Sequence, residues 1–593
     1  MSRLLVGLLS CLIVGVAGPA RAQQTLVIPA GGGGFISLSP GGDPQFPGQP
    51  APARDAQQPA QPGTATLRGR VYAADTGQPL RKAQVRITSN AQPAQGQPPE
   101  NRLTTTDASG NYEFRELRAG RYSLNAQKGS YVSLQWGQQR PNEPGKPLDI
   151  LDGQTIEKVD FSLPKGGVIT GRILDEFGEP ISDVQVAAMR FQNINGGRRL
   201  VNTGRSAQTN DIGEFRLFAL APGDYYVSAT LRTFNPLAQS DDRSGYAPTY
   251  YPGTPDVAGA QKLSVAAGQT LSEITLSLLP IRTARITGTA VDSQGRPMRG
   301  IVQTLPRDDF FSGPINFNGG QIRPDGSFVV NGLAPGDYSL QVQNQPGPGG
   351  PLVPGEQEFA SAEVTVGGSD VTGVRLVAAK PSTIAGKIVI GAGDATSLKP
   401  LSIRISAFPL QTGGPIFGPF PQPVAVSEDW TFQARARAGT MRLQTQGLQP
   451  PWNIRAVRVR GSDVTDAGIE VKANEDISDV EIEITNKTTE VSGLVTNARG
   501  ETMKDYWAVL FPRDREKRKP PSRYVRVSRP DQDGRFKVTG LPPGDYLAFA
   551  GNAIDPGEAN TVEFLDRIER QATRVSLNEG ETKTLDLKLS PVP

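Results

Sequence analysis

Short apolar runs alternate with polar residues along most of the chain, and glycine, proline, asparagine and aspartate interrupt them at regular intervals. Alternation with period two puts one row of side chains on one face, the mark of a half-buried strand. Five segments open in this way around a single glycine: Thr66–Val71, Ile169–Ile173, Ile286–Gly288, Ile384–Gly386 and Val491–Gly493. A turn follows, as at Gly77-Gln78-Pro79, Gly178-Glu179-Pro180 and Gly295-Arg296-Pro297, and then a second strand such as Ala83–Ile87 or Val184–Ala188. Each unit closes on another alternating strand, for example Val159–Leu163, Ile274–Leu278, Val480–Ile484 and Leu585–Leu589.

The most distinctive segment lies within each unit. It reads DASGNYEFRELRAGRY at 107–122, NDIGEFRLFALAPGDY at 210–225, RPDGSFVVNGLAPGDY at 323–338 and DQDGRFKVTGLPPGDY at 531–546, with two glycines ten residues apart in all four. Glycine supplies positive φ at tight turns and proline pre-sets the residue before. This spacing predicts a turn, a strand, a second turn and another strand, read as a hairpin. In the fourth unit Trp430-Thr431-Phe432 replaces the first turn and Gly439 comes one residue early. The period of about 100 residues marks an internal repeat. It predicts an all-β chain of five tandem Ig-like or prealbumin-like β-sandwiches, at 65–164, 165–280, 281–379, 380–486 (degenerate) and 487–593. The few residues between closing and opening strands predict a semi-rigid rod of beads. One helix is expected, from Val562 to about Thr573, capped by Asn560 or Thr561 with Leu565, Ile568 and Ala572 on its apolar side.

These motifs resemble the carboxypeptidase regulatory-like domain, a prealbumin-like (Cna-B-like) β-sandwich. The match to its opening G-x-V, its first turn and its T-D-x-x-G-x-F…L-x-P-G-x-Y segment is fullest in units one and two; in unit five Thr502 stands where the first turn has proline. The resemblance implies an accessory module of bacterial exported proteins, without catalytic residues of its own.

The amino terminus changes the picture of compartment. Arg3, the apolar run Leu4–Gly18 and Ala20-Arg21-Ala22 read as a signal peptide over 1–22, cleaved after Ala22. The chain would then be exported, to the periplasm, the cell surface or the medium. The rival lipoprotein reading, with lipid on Cys11, leaves too short an apolar run before the cysteine. Residues 23–64, rich in Gln, Pro, Gly and Ala, read as a disordered tether, with a short ordered piece near Phe35–Leu38.

Composition narrows the chemistry. The chain has no histidine and one cysteine, and 62 Lys+Arg stand against 59 Asp+Glu. Imidazole catalysis, histidine metal ligation and Ser-His-Asp arrangements are therefore excluded. Near-neutral charge gives no electrostatic reason for nucleic acid. The reading is a non-enzymatic scaffold with no catalytic residue, cofactor or metal. Asp531-Gln532-Asp533-Gly534 is read as a turn rather than part of a calcium loop, because the further oxygen ligands are missing. The charge run Arg513–Lys519 is read as a solvated loop. Tyr246, Tyr250 and Tyr251, in a Pro/Gly-bounded insertion, and Trp136 in the matching place of unit one are the candidate ligand-binding residues, as ring platforms for a polysaccharide. The alternative for these loops is packing against the sandwich or its neighbour. A role beside an outer-membrane protein, in transport or secretion, is the third function considered.

Overall fold

The computed structural model describes residues 26–30, 34–38 and 62–592, apart from short internal stretches at 90–99, 140–142, 195–196, 232–243, 308–317, 346–356, 394–395, 397, 411–421, 449–450, 553 and 555–556. The signal peptide, its cleavage site and Cys11 lie outside the described residues. In the amino-terminal unit, Leu26–Ala30 pairs antiparallel with Gly34–Leu38. That hairpin contains the ordered piece expected near Phe35. Among the described residues no helix is long and apolar enough to cross a membrane.

Residues 60–593 carry five β-sandwiches, each around its own core. In the first, the opening strand Ala65–Ala73 pairs antiparallel with Asn111–Leu117 and parallel with Thr155–Ile156 and Phe161–Leu163. The facing sheet orders Asn101–Thr105, Gln84–Ser89 and Gly120–Gln127, the last also pairing with Leu134–Gln135 and Leu148–Ile150. Alternate residues of both sheets meet inside: Leu67, Val71, Val85, Ile87, Phe114 and Leu124 are all buried. The plan repeats in the other four units, including the degenerate fourth, where Ser382–Ala392 lies between Thr431–Ala436 and the parallel strand Ile477–Thr485.

The recurring opening glycine has a steric cause. A Cβ built on Gly69, Gly171, Gly288, Gly386 or Gly493 would lie 1.8–2.1 Å from a backbone carbonyl oxygen of the parallel closing strand, that of Val159, Ile274, Val374, Val480 and Leu585 respectively. In units one, two and four the residue before that carbonyl (Lys158, Glu273, Asp479) has φ of 60–65°. The closing strand bulges there and pushes its backbone against the glycine.

The glycine-spaced segment is not a hairpin. Asn111–Leu117 belongs to the opening-strand sheet and Gly120–Gln127 to the facing one. The chain between them arches over the edge of the core, and the same crossing recurs at Glu214–Leu220 to Gly223–Leu231. A tyrosine two residues after the second glycine locks the arch in four of the five units. Tyr122, Tyr225, Tyr338 and Tyr546 donate their hydroxyls to the carbonyls of Arg118, Ala221, Ala334 and Pro542, four residues back, at 2.6–3.0 Å. Burial pushes the hydroxyls of Tyr122, Tyr225 and Tyr546 upward, with the Glu100 hydrogen bond adding to the first. The folded state thus holds these protons more tightly than the unfolded chain, whose tyrosines titrate near ~10. Their stabilisation is complete below that pH and is lost as pH rises through it toward the folded values. We expect the urea midpoint to fall between about pH 10 and 11, and Tyr→Phe at the three positions to flatten that fall while lowering the midpoint at pH 8.

The fifth sandwich has an added layer. The outer faces of Trp507–Pro512 and Gly544–Gly551 bury Trp507, Val509, Phe511 and Phe549 under a helix, Val562–Ile568, that contributes Phe564, Leu565 and Ile568. Thr561 caps the helix by accepting from the Phe564 amide at 3.3 Å. It is shorter than its sequence pattern: Glu569–Gln571 tightens into a 3₁₀ turn, and Thr573–Leu577 is a strand paired with Gly544–Gly551. The charge run is likewise not wholly a solvated loop. Arg518 is fully buried, stacked over Phe511, and bonds the Pro512 and Arg513 carbonyls with Asp566 and Glu569 of the helical segment.

Candidate functional site

The two aromatic loops singled out in the sequence have different surroundings. In unit two, Thr249–Tyr250 adds to the edge of Gly223–Leu231. Tyr250 is 3% exposed and packs with Ala187, Met189 and Leu200. Tyr251 is half-buried against the second sandwich core. Tyr246 also packs there, donates to Glu176 at 2.7 Å, and lies in Ser244–Tyr246, which pairs with Pro280–Arg282 at the joint to unit three. The three tyrosines therefore do not share one exposed platform. Tyr246 and Tyr251 pack on the second sandwich core and Tyr250 in a separate cluster, on a segment that also pairs with the joint to unit three.

Trp136 is half-buried against the first core, and the loop that follows it reaches the last unit. The site there is built on Arg529, whose side chain is 3% exposed. Its guanidinium pairs with Glu143 of unit one and with Asp505 at 2.5 Å, donates to the Gly137 carbonyl at 3.3 Å, and lies 4.9 Å from the centroid of the Trp507 ring. The Trp507 indole N–H also donates to Glu143, at 3.1 Å. Lys146 of unit one pairs with Asp505 at 3.4 Å and donates to the Lys504 carbonyl. Desolvation lowers the Lys146 ammonium pKa, and Asp505 opposes the shift. The Gln532 side chain completes the contact by mimicking a strand edge. Its amide donates to the Asp149 carbonyl at 3.0 Å, and its oxygen accepts from the Asp149 N–H at 3.2 Å.

Units one and five are thus docked by charges removed from water on both sides. The semi-rigid rod read from the short joints is corrected by this contact: the joints restrict hinge freedom, but the chain brings its fifth sandwich back onto its first. Sequence alone gave no signal for the pairing, because Glu143 and Arg529 are ordinary surface residue types separated by most of the chain. A cleft of about 460 Å³ opens beside the contact, lined by Tyr72, Trp136, Gln135, Gln138, Asp160 and Gln532 among others.

The Asp531 turn is a turn: its carboxylate accepts from the Asp533 and Arg535 amides of its own loop at 3.0 and 2.9 Å. Asp107 and Asn210 cap the matching turns in the same way. These side chains are used in shaping the loop.

No curated protein matches the sequence. Among solved structures, similarity is found to the minor pilin of Streptococcus agalactiae (12% identity, 36% of this chain and 95% of that chain, TM-score 0.21). It extends to a streptococcal ancillary pilin (16%, 53% and 98%, TM-score 0.20) and the shaft pilin of Lactobacillus rhamnosus GG (11%, 37% and 96%, TM-score 0.17). The family profile of the carboxypeptidase regulatory-like domain matches residues 66–163 and 168–278. Both segments carry the opening glycine, capped turn and clamp tyrosine described above; the first two β-sandwiches are carboxypeptidase regulatory-like domains.

Proposed function

We propose that this is an exported, non-enzymatic scaffold protein whose sandwiches are held in a fixed mutual arrangement. The observation that carries the reading is the buried Arg529–Glu143–Asp505 cluster joining the first and last units. Strand pairing across the joint of units two and three supports it. So do contacts between units four and five, where Arg523 pairs with Asp466 at 2.7 Å and Tyr524 donates to the same carboxylate at 2.8 Å. A chain built to present surfaces at set positions needs such joints, whereas a flexible tether does not. The test is on native material. Mass spectrometry of the exported fraction should find a chain beginning at Gln23, resistant to proteolysis at every joint and inactive on a panel of hydrolase substrates. Retention in the cytoplasm with an intact amino terminus would overturn export, and robust turnover would overturn the scaffold.

A second reading, polysaccharide binding, is favoured by the cleft between units one and five, where Trp136 and Tyr72 stand with glutamine and aspartate side chains. Aromatic rings with planar polar groups suit sugar faces and hydroxyls. Retardation in gels containing a neutral polysaccharide, lost in Trp136→Ala, is the expected result; unchanged mobility on every polysaccharide removes this reading.

A further inference from the structure

Neighbouring units are joined in two ways. Units one and two meet through backbone: the Gly166 amide donates to the Ser130 carbonyl at 2.9 Å, and Tyr131 bridges Lys165. Units two and three do the same through Ser244–Tyr246 and Pro280–Arg282. Units four and five meet through charged side chains. Arg455, on the strand Asn453–Val459, pairs with Glu483 of its own unit and with Glu579 of unit five, the latter at 3.3 Å. The Thr485 hydroxyl donates to Glu579 at 3.3 Å. From the other side, Arg523 pairs with Asp466 at 2.7 Å and donates to the Arg455 carbonyl at 3.1 Å. Tyr524 donates to Asp466 at 2.8 Å, and the Lys517 ammonium lies 5.1 Å from its ring centroid.

Three carboxylates thus hold the joint, and each faces a cation. Glu483 is buried, and Arg455 and Arg458 reach it from one strand, Arg458 at 2.6 Å. On its other side lies Ser382–Ala392, where a Cβ on Gly391 would come within 2.3 Å of the carboxylate. The cation of that strand, Lys387, pairs with Glu481 at 3.1 Å. Asp463 stands opposite Arg458 in the strand pair, and its carboxylate accepts from the Thr465 amide and hydroxyl. Burial raises the Glu483 carboxyl, but its bonds to Arg458 and Arg455 outweigh burial and leave it below the ordinary range. Its stabilisation is complete above the unfolded value of ~4.3 and is lost as pH falls through the folded one. Arg455, Arg458 and Arg523 keep their charge throughout. Acid therefore turns a set of ion pairs into cations that face one another. The bonds that fasten the connecting residue Thr488 to Pro451 and Asn453 are neutral and persist.

We propose that the joint of units four and five is an acid-operated hinge. It is closed near neutral pH through Glu483, Glu579 and Asp466. When these carboxylates are neutralised it opens about Thr488 and releases the fifth sandwich with its core intact. The backbone bonds of the other two joints do not titrate. The inference is independent of export and of the absence of catalysis.

The test uses the full mature chain carrying Arg529→Ala, so that contact with unit one does not hold the fifth sandwich in place. Spin labels go on Leu401→Cys in unit four and Lys588→Cys in unit five, both exposed positions. One narrow distance is expected at about pH 7, and a longer, broad distribution at about pH 3.5, with the near-ultraviolet circular dichroism of the sandwich cores unchanged between them. Asp466→Asn with Glu579→Gln should give the broad distribution already at about pH 7, because it removes two of the charges without acid. Asp466→Asn alone, on an exposed turn, should raise the pH of half-opening by about half a unit or more, and it carries the test if the double variant fails to fold. A distance unchanged at about pH 3.5, broadening that comes only with loss of the circular dichroism signal, or a folded double variant that stays closed would each overturn the proposal.

Discussion

Replacing Gly171 by alanine should unfold the second sandwich at a denaturant concentration where the other four remain intact. The added Cβ would lie 1.8 Å from the Ile274 carbonyl oxygen. That is far inside van der Waals contact, and the obstacle is backbone, which cannot rotate away as a side-chain end can. Relief requires the opening and closing strands to separate, which breaks parallel ladder pairs that run from Val168–Thr270 to Leu174–Ser277. Overpacking of this kind costs about 3 kcal/mol or more, a large part of the 5–15 kcal/mol or so that holds a domain. Gly178→Ala is the matched control. Gly178 has φ of +84° but nothing within 4 Å of its Cβ position, so the change costs only about 1–2 kcal/mol of backbone strain. Urea titration followed by pulse proteolysis locates which sandwich opens first. The expectation fails if Gly171→Ala is no less stable than Gly178→Ala.

That glycine also marks where sequence reading stops. Its recurrence was visible five times, and with the alternation around it the fold class, the number of sandwiches and their strand order along the chain were legible. Its reason was not legible, because the carbonyl that excludes a side chain comes from a strand roughly a hundred residues later. The arch was misread as a hairpin for a related cause. Two strands joined by a glycine turn look alike whether they share a sheet or face each other across a core, and partner identity is not a local property. The clamp tyrosine sat in plain view within G-x-Y, yet only its four-residue reach back to the arch carbonyl gives it a role. The directions of the candidate rings were not legible either. Tyr250 sits in a two-residue edge strand in which both residues are buried, and it packs with Ala187, Met189 and Leu200 in a cluster apart from the sandwich core, which no alternation pattern disclosed. Trp136 lies in irregular chain, where no period fixes its direction, and it ends beside a cleft. Charged residues were the hardest to place. Arg518 and Arg529 look like solvated surface by type, and each is buried because two carboxylates from distant segments surround it.

Arg529→Ala should release the fifth sandwich from the first without unfolding either one. The substitution removes the guanidinium that joins Glu143, Asp505 and the Gly137 carbonyl, and leaves two carboxylates facing each other with the Trp507 ring uncovered. Breaking a buried pair from one side costs about 3–5 kcal/mol, which shifts a docking equilibrium by roughly two to three and a half decades. The docked state otherwise gains from tethering, since both partners belong to one chain. Neither sandwich core contains Arg529, so their melting should change little. Arg529→Lys separates charge from geometry: an ammonium keeps one positive charge but cannot span both carboxylates, the carbonyl and the ring at once, so partial opening is expected. The mature chain is expected to carry no native thiol, which makes distance measurement direct. Dyes or spin labels on Leu103→Cys in unit one and Lys588→Cys in unit five, both exposed positions, should report a single short distance in the parent. The distribution should be broad and longer in Arg529→Ala and intermediate in Arg529→Lys. Salt should lengthen the distance less in the parent than it would for exposed pairs, because Arg529 and Glu143 are shielded from solvent at 3% and 10% side-chain exposure. An unchanged distance in Arg529→Ala would mean that the Gln532–Asp149 bonds and the Lys146 contacts hold the two units together by themselves, and the ion cluster would lose its place as the element that fixes the scaffold.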